Sequence, residues 1–222
     1  MTTTTTTTTP ECHLTPLNLQ DHDQYTELHR QRILCGWDSD ISDLDNWKEK
    51  QEAGLKGFFW IMISNPDTNT NTHADTNGDK KHTNAGHISL DAYTEPPDAD
   101  LARADKSVLV VQNFFILPEY QSRGLGRKVM GLVEEVARTE PYGSAKCRAI
   151  ALTALSKRYW HEEKHVRDRL GPGGPPYSNQ EWYERLGYVA FKEEDRYEVR
   201  DLEGQVFMLK STSLRKEVYR EC

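Results

Sequence analysis

Residues 107–139 read SVLVVQNFFILPEYQSRGLGRKVMGLVEEVART and contain the pattern that decides the fold. An apolar run rich in β-branched and aromatic residues covers 108–117 and ends at Pro118. After a short polar turn, apolar residues recur at helical spacing from Leu125 onward. The stretch therefore predicts a strand, a glycine-containing turn and an amphipathic helix.

The turn from Gln121 to Gly126 has the features of an anion-binding corner. The first amides of a helix have no partner inside the helix and point outward along the positive end of its dipole. Glycines there let an anion approach the backbone closely. Neither a Walker A loop nor a Rossmann fingerprint is present at the turn. We therefore predict a phosphate-binding corner, with an ordinary glycine-containing turn as the alternative.

Composition limits the class of protein. The 222 residues fit one domain with insertions, and the net charge of −7 argues against general nucleic-acid binding while suiting a basic substrate. Four scattered cysteines indicate neither a disulfide framework nor a zinc ribbon. The longest apolar run, 58–63, is too short to span a membrane, and the start of the chain shows no signal peptide.

Other parts of the chain alternate between predicted strands and helices. A strand-helix-strand unit of this kind is normally parallel, so the strand before the turn should pair in parallel with the strand after the helix. The segments 58–64 and 86–93 should form an antiparallel pair. The remaining predicted strands are 13–17, 147–152, 188–199 and 205–211, and short helices are predicted over 21–33 and 42–52.

Several polar segments interrupt this pattern. The threonine-rich start, 1–10, is predicted to be a disordered tail, and 212–222 to be a polar C-terminal tail. Insertions are predicted at 65–84 and 156–177; the second is either an acceptor-binding lid or an inert decoration. Histidines around the first insertion, His73 among them, allow the hypothesis of a metal-responsive protein. Their spacing matches no common ligand motif, so no metal site is assigned.

The six residues QSRGLG at 121–126 resemble the acetyl-CoA pyrophosphate loop of the GNAT N-acetyltransferases. A second piece, NQEWYERLGY, resembles the family's Y-x-x-x-G-F/Y helix, with Tyr183 and Gly187-Tyr188 in those places. The resemblance is clear over roughly 107–139 and 179–211. The family usually has alanine and asparagine before that tyrosine, where this chain has Asn179 and Pro176.

The resemblance implies a fold and a cofactor. The fold is α/β (α+β), a mixed central sheet of about six to seven strands flanked by helices, in a single domain over 11–211. A splay between the two parallel central strands would hold the pantetheine arm of acetyl-CoA. The implied cofactor-binding residues are Phe115, Ile116, Leu117, Gln121, Ser122, Arg123, Gly124, Leu125, Gly126, Arg127 and Asn179.

Acetyl transfer to an amine also needs an acid for the leaving thiolate and a base for the amine. Tyr183 is the candidate acid, because a phenol has a proton to give and a pKa near that of a thiol. The base is less defined. Some members of the family use a glutamate near the position of Val110, and valine cannot serve. The candidates are therefore Glu119 in the turn and Asp91 and His87 on the preceding strand.

We therefore predict an N-acetyltransferase that moves an acetyl group from acetyl-CoA to a primary amine by direct attack in a ternary complex. The acceptor is either a small amine or a protein lysine. The alternative is a catalytically inactive CoA-binding or interaction module of the same fold. We expect a monomer or homodimer in the cytoplasm, with the nucleus as a second location, and neither a nucleic acid nor a membrane as a partner.

Overall fold

The computed structural model describes residues 11–64, 82–169 and 177–218. The strands are β1 (Cys12–Pro16), β2 (Lys56–Ser64), β3 (His82–Asp91), β4 (Val108–Ile116), β5 (Ala149–Leu155), β6 (Val189–Arg200) and β7 (Val206–Glu217). The helices are α1 (His22–Cys35), α2 (Ile41–Glu52), α3 (Leu125–Val136), α4 (Arg158–His161), α5 (Lys164–Arg169) and α6 (Asn179–Glu184), with a 3₁₀ turn at Pro118–Tyr120.

The strands form a mixed seven-stranded sheet in the order β1-β2-β3-β4-β5-β7-β6. β4 and β5 are parallel, whereas the β1–β2, β2–β3, β5–β7 and β6–β7 pairs are antiparallel. The predicted α/β class and mixed sheet are confirmed. The parallel ladder joins Val108–Val110 to Ala149–Ala151. The splay further along these strands stays a prediction.

The chain divides into two compact units. The first contains the residues up to Asp91 together with Asn113–Gly143, and the second contains Ala92–Gln112 with the residues from Ser144 onward. A single domain over 11–211 stays a prediction.

In the first unit, α1 and α2 cover one face of β2. Asp21 caps α1, as its sequence position predicts, because its side chain accepts hydrogen bonds from the main-chain N–H groups of Asp23 and Gln24. Gly36 ends the helix in the left-handed conformation, with φ of 78°. The helices and β2 enclose an apolar cluster made of Leu17, Leu19, Leu28, Leu44, Trp47, Phe58 and Trp60.

A glycine in β3 allows close approach to the end of β4. A Cβ atom on Gly86 would lie 2.1 Å from the carbonyl oxygen of Phe115, so no larger residue fits there. The neighbouring Ala85 carbonyl accepts a hydrogen bond of 2.9 Å from the N–H of Leu117. These contacts fix the point from which the chain enters the glycine-containing turn.

In the second unit, the long β6–β7 hairpin extends beyond β5, and helix α4 packs on it. Tyr159 and Trp160 of α4 are buried with Leu209 of β7. The hydroxyl of Tyr159 also accepts a 2.8 Å hydrogen bond from the N–H of Lys210. The described part of the 156–177 insertion is therefore anchored to the hairpin by aromatic side chains.

The structure corrects the predicted boundaries of two segments. Residues 212–217 are not a tail, because β7 continues to Glu217 and Leu214 is fully buried. Their backbone pairs with both β5 and β6, which outweighs the polar character of the serine-threonine run. The first insertion also ends earlier than predicted, because β3 begins at His82. The predictions for 1–10, 65–81, 170–176 and 219–222 lie outside the described residues.

No helix among residues 11–64, 82–169 and 177–218 has the length and apolar character needed to cross a lipid bilayer.

Candidate functional site

The glycine-containing turn connects β4 to α3 through the 3₁₀ turn, as the sequence predicts. Apolar residues at helical spacing bury one face of α3, and Leu125 and Val129 are among them. Ser122 and Gly124 are both left-handed, with φ of 61° and 74°. The backbone therefore changes direction sharply just before the helix begins at Leu125, and alternating conformations of this kind direct successive N–H groups to one side.

The backbone N–H groups of this turn have no acceptor among the described residues. In the part of the chain that the structure describes, no backbone N–H from Ser122 to Arg127 donates a hydrogen bond. A Cβ atom built on Gly124 would have no atom within 4 Å, so the space above the turn is open. Open space and unsatisfied donors at a helix N-terminus are what an anion requires.

Two arginines add positive charge at the same place. Arg123 lies in the turn and Arg127 in the first turn of α3, and both are exposed. Neither forms an ion pair with another described residue. The corner therefore has both backbone dipoles and full charges available to an anion.

Part of the predicted cofactor-binding backbone is engaged within the protein. The Leu117 carbonyl accepts a 2.9 Å hydrogen bond from the N–H of Tyr120, and its own N–H bonds to Ala85. The side-chain amide of Gln121 donates to the Ile116 carbonyl at 2.7 Å. Gln121 thus stabilises the turn, and the cofactor-binding roles of residues 115–117 and Gln121 stay predictions.

A buried polar cluster lies across β2, β3 and β4 in the same unit. The ammonium group of Lys56 contacts the Asp91 carboxylate at 2.7 Å, the Ser89 hydroxyl at 3.2 Å and the Asn113 amide oxygen at 2.8 Å. The side chains of Lys56 and Asp91 are fully buried. The sequence indicates Asp91 as a candidate but not Lys56 or Asn113, because nothing in the local pattern shows that these residues meet.

Burial controls the protonation of this pair. Loss of solvent raises the pKa of Asp91 and lowers the pKa of Lys56, while their mutual attraction opposes both shifts. Because Asp91 is fully buried in this ion pair, a substrate amine has no direct access to its carboxylate. The role of Asp91 as a base stays a prediction.

Asn113 connects this cluster to the loop between α1 and α2. It is left-handed within β4, with φ of 48°, which is unusual for a residue in a strand. Its side-chain nitrogen lies 3.4 Å from a carboxylate oxygen of Asp38, a residue in that loop with φ of 45°. The Asp38 side chain is 57% exposed. The structure thus brings the accessible carboxylate of Asp38 close to Asn113 of β4, three residues before Ile116. The sequence did not reveal this contact.

Buried Arg32 holds the loop in this conformation. Its guanidinium donates to the main-chain carbonyls of Trp37 and Asp38, and lies 3.2 Å from the Asp38 carboxylate. It also contacts Nε2 of His87 at 3.4 Å, while Nδ1 of His87 lies 2.8 Å from the side-chain oxygen of Gln31. Burial, aided by the charges of Arg32 and Lys56, lowers the pKa of His87 well below 6.5.

The second candidate base, Glu119, lies in the 3₁₀ turn after β4 and is exposed. Its charge acts on Arg30 of α1, whose pKa is raised chiefly by hydrogen bonds to Glu27 and to a smaller extent by Glu119. No described contact directs Glu119 toward a reacting group, so its catalytic role also stays a prediction.

The other predicted catalytic residue belongs to the second unit. Tyr183 lies in the short helix α6, with its ring 4.8 Å from Trp182 and 5.9 Å from Tyr188. Burial raises the pKa of its phenol, so the hydroxyl keeps its proton. Ser178 caps the helix by accepting a hydrogen bond from the N–H of Glu181. Asn179 is exposed at the first helical position.

Among the described residues, no group of three or more histidine, cysteine or acidic side chains is arranged to hold a metal ion. His87 is engaged with Arg32 and Gln31, and His73 lies outside the described residues.

Comparison with known families gives a match to the acetyltransferase (GNAT) family over residues 37–163. Among solved structures, the spermidine/spermine N-acetyltransferase SpeG from Vibrio cholerae is 13% identical, with a TM-score of 0.52 and coverage of 94% of this chain and 95% of that one. NAA60 from Arabidopsis thaliana, solved with acetyl-CoA, is 14% identical, with a TM-score of 0.53 and coverage of 93% of this chain and 99% of that one. No curated protein matches significantly. At such low identities these structures establish the fold alone.

Proposed function

Because the chain belongs to the acetyltransferase (GNAT) family, matched over residues 37–163, we propose that it binds acetyl-CoA and transfers the acetyl group to a primary amine. The observation that carries the proposal is the corner at 122–127, whose backbone N–H groups have no acceptor among the described residues and whose surroundings are open. The diphosphate of acetyl-CoA is the anion that this corner binds, with Arg123 and Arg127 beside it.

The proposed reaction is direct attack by a neutral amine on the thioester in a ternary complex. The amine binds protonated and first loses a proton to water; its nitrogen then bonds to the acetyl carbon and releases a second proton to water, while the C–S bond breaks and CoA leaves as a thiolate. Holding the two reactants together supplies much of the rate, since a positioned amine avoids the entropy cost of a bimolecular encounter. Tyr183 acts as the general acid that protonates the departing thiolate. Its partly buried phenol is protonated at neutral pH, but the raised pKa makes it a weaker proton donor than a free tyrosine, so its action as an acid depends on direct contact with the departing thiolate.

For the acceptor, the loop between α1 and α2 supplies a negative surface. Asp38 is half-exposed and held by Arg32 and Asn113. Asp40 and Asp43 follow it, and burial together with the charges of Asp38 and Asp40 raises the pKa of Asp43. A protonated amine is the substrate form that such a surface attracts. We therefore propose that Asp38 helps to bind the acceptor, which is a small amine or a lysine side chain.

The experiment compares Gly124→Glu with Gly124→Ala. Both variants force a side chain into the left-handed region, at a cost of roughly 1–2 kcal/mol, so they share the same backbone strain. Only glutamate adds negative charge where the diphosphate binds. We expect acetyl-CoA affinity, measured by calorimetry, to be nearly normal in Gly124→Ala and to fall below detection in Gly124→Glu. Equal affinities in the two variants would contradict the site.

Turnover is measured in parallel, as thiol release with a panel containing a polyamine, a lysine peptide and a peptide with a free N-terminus. We expect at least one amine to be acetylated, and Asp38→Asn to raise its KM with little change in the affinity for acetyl-CoA. Normal cofactor binding without turnover on any amine would favour the inactive CoA-binding module. The monomeric or dimeric state and the cytoplasmic location stay predictions.

A further inference from the structure

A second concave site lies in the second unit, where β4 and β5 begin. The cavity has a volume of about 560 Å³, and the first residues of the two strands, Val108 and Ala149, contribute to its wall. Ligands of open α/β sheets normally bind beyond the carboxyl ends of the strands, and the glycine-containing turn follows that end of β4. This cavity is at the opposite ends of the same strands, so the family's chemistry does not account for it.

The cavity is basic although the protein is acidic. Its lining contains Arg103, Lys146, Arg148 and Arg215, against the acidic side chains of Asp105 and Glu217. The formal charge of the lining is therefore positive in a chain whose net charge is −7. Cations gathered in a concave surface raise the local potential and attract anions.

The two carboxylates of the lining are already engaged. One oxygen of Asp105 accepts hydrogen bonds from the N–H and the hydroxyl of Ser107, at 3.0 and 2.7 Å. Glu217 lies 3.4 Å from the guanidinium of Arg215. Asp105 also interacts with the charges of Arg103 and Lys146, but four cations against two carboxylates leave the lining with a formal excess of positive charge.

Two cations of the lining, Lys146 and Arg148, have side chains that form no hydrogen bond or ion pair with a residue in the described ranges. Of the two, Arg148 has the guanidinium. Its backbone is nevertheless fixed, because its N–H donates to the Ser107 carbonyl at 3.0 Å and its carbonyl accepts from the N–H of Val218 at 2.8 Å. The main chain of Arg148 is thus held in place at the cavity wall, and the donors of its exposed guanidinium are available.

We propose that this cavity binds a multivalent oxyanion, a phosphorylated or polycarboxylate small molecule, with Arg148 as its central ligand. The planar fork of a guanidinium matches phosphate and carboxylate oxygens in a bidentate manner. Arg103, Lys146 and Arg215 supply the surrounding positive charge. A volume of about 560 Å³ suits an organic anion of metabolite size, since small-molecule sites typically range over about 300–1,000 Å³.

The test uses the full chain carrying Gly124→Glu, so that anion binding at the glycine-containing turn is suppressed by charge. Inorganic pyrophosphate and citrate are titrated separately at low ionic strength and followed by calorimetry. In this background Arg148→Gln is compared with Arg138→Gln, which removes the same charge from an exposed residue after α3. Circular dichroism of each variant checks that the fold is retained.

We expect saturable binding of at least one probe, unchanged by Arg138→Gln and weakened about tenfold or more by Arg148→Gln, because a charge-assisted contact is lost. Preference for pyrophosphate assigns the site to phosphorylated ligands, and preference for citrate assigns it to polycarboxylates. Absence of binding for both probes would overturn the proposal, as would equal affinities in the Arg148 and Arg138 variants. Because Gly124→Glu is present throughout, these outcomes do not depend on whether the turn binds acetyl-CoA.

Discussion

The proposed acid shows how burial can select one protonation state of a residue. The phenol of Tyr183 lies beside Trp182 and Tyr188, and its burial raises its pKa. A phenol in this setting remains protonated across the range in which an enzyme normally works. We predict that Tyr183→Phe, which keeps the ring and removes only the hydroxyl, lowers kcat by about 10²-fold or more with little change in KM.

Tyr177→Phe is the matched control, because Tyr177 is an exposed phenol in the same unit. Steady-state kinetics of acetyl transfer by both variants distinguish a tyrosine that donates a proton from one that only packs. A kcat for Tyr183→Phe equal to that of the control would mean that Tyr183 only packs against its aromatic neighbours.

His87 gives a pH dependence of stability whose sign follows from its buried position. Its pKa in the folded protein is well below 6.5, whereas the unfolded chain restores the ordinary value. Below about pH 6.5 the unfolded state therefore binds a proton that the folded state does not, and the free energy of unfolding falls as pH falls. We predict a loss approaching 1.4 kcal/mol per pH unit between about pH 6 and 5, measured by urea unfolding.

His87→Gln should remove this slope, and His22→Gln should keep it, because His22 is exposed at the start of α1. The charged groups that act on His87 are Arg32 and Lys56, whose positive charges also disfavour protonation, and its other hydrogen-bond partner, Gln31, is neutral. An unchanged slope in His87→Gln would assign the acid sensitivity to other groups.

At the scale of elements, the sequence predicted what depends on local pattern. Strand β4, the turn and helix α3 follow one another within 108–136, so hydrophobic periodicity and glycine placement were sufficient to identify them. The cluster of Lys56, Asp91 and Asn113 could not be predicted, because it depends on pairing between residues far apart in the chain. The end of β7 was missed for a related reason. Its polar residues are held by two neighbouring strands rather than by their own propensity.

Helix α4 offers a way to decide between a lid and a decoration in the 156–177 insertion. Trp160 is 8% exposed and packs with Tyr159 and Leu209 against the β6–β7 hairpin. Truncating a buried tryptophan removes apolar contacts and leaves a cavity. We predict that Trp160→Ala lowers the free energy of unfolding by about 3 kcal/mol or more, as measured by denaturant unfolding.

The kinetics of the same variant then indicate the role of the insertion, at a temperature where the folded state still dominates. If the insertion is an inert decoration, Trp160→Ala leaves the KM for the amine unchanged. If the insertion is an acceptor-binding lid, the variant has a higher KM for the amine. Phe191→Ala, a change at a partly exposed aromatic residue on β6, is the control for loss of aromatic surface in the same unit. A stability equal to that of this control would contradict the anchoring role of Trp160.

For the whole molecule, a cofactor that binds only the folded state must raise the free energy of unfolding. At a free concentration about 100 times its dissociation constant, the gain is about 2.7 kcal/mol. The proposed site assigns much of that gain to the diphosphate, because the groups available at 122–127 are backbone N–H donors with two arginines beside them. Stability measured with fragments of the cofactor therefore tests the site without requiring turnover or knowledge of the acceptor.

We predict that CoA and dephospho-CoA, which both contain the diphosphate, stabilise the protein to a similar extent at equal concentration, and that pantetheine, which lacks it, does so much less. The order follows because pantetheine can use only the strand-end backbone, where the Ile116 and Leu117 carbonyls and the Leu117 N–H are already hydrogen-bonded. Chemical unfolding with each ligand measures the effect, and Gly124→Glu should reduce the response to CoA to that given by pantetheine. Equal stabilisation by pantetheine and CoA would mean that the thiol arm, rather than the corner at the start of α3, carries the binding energy.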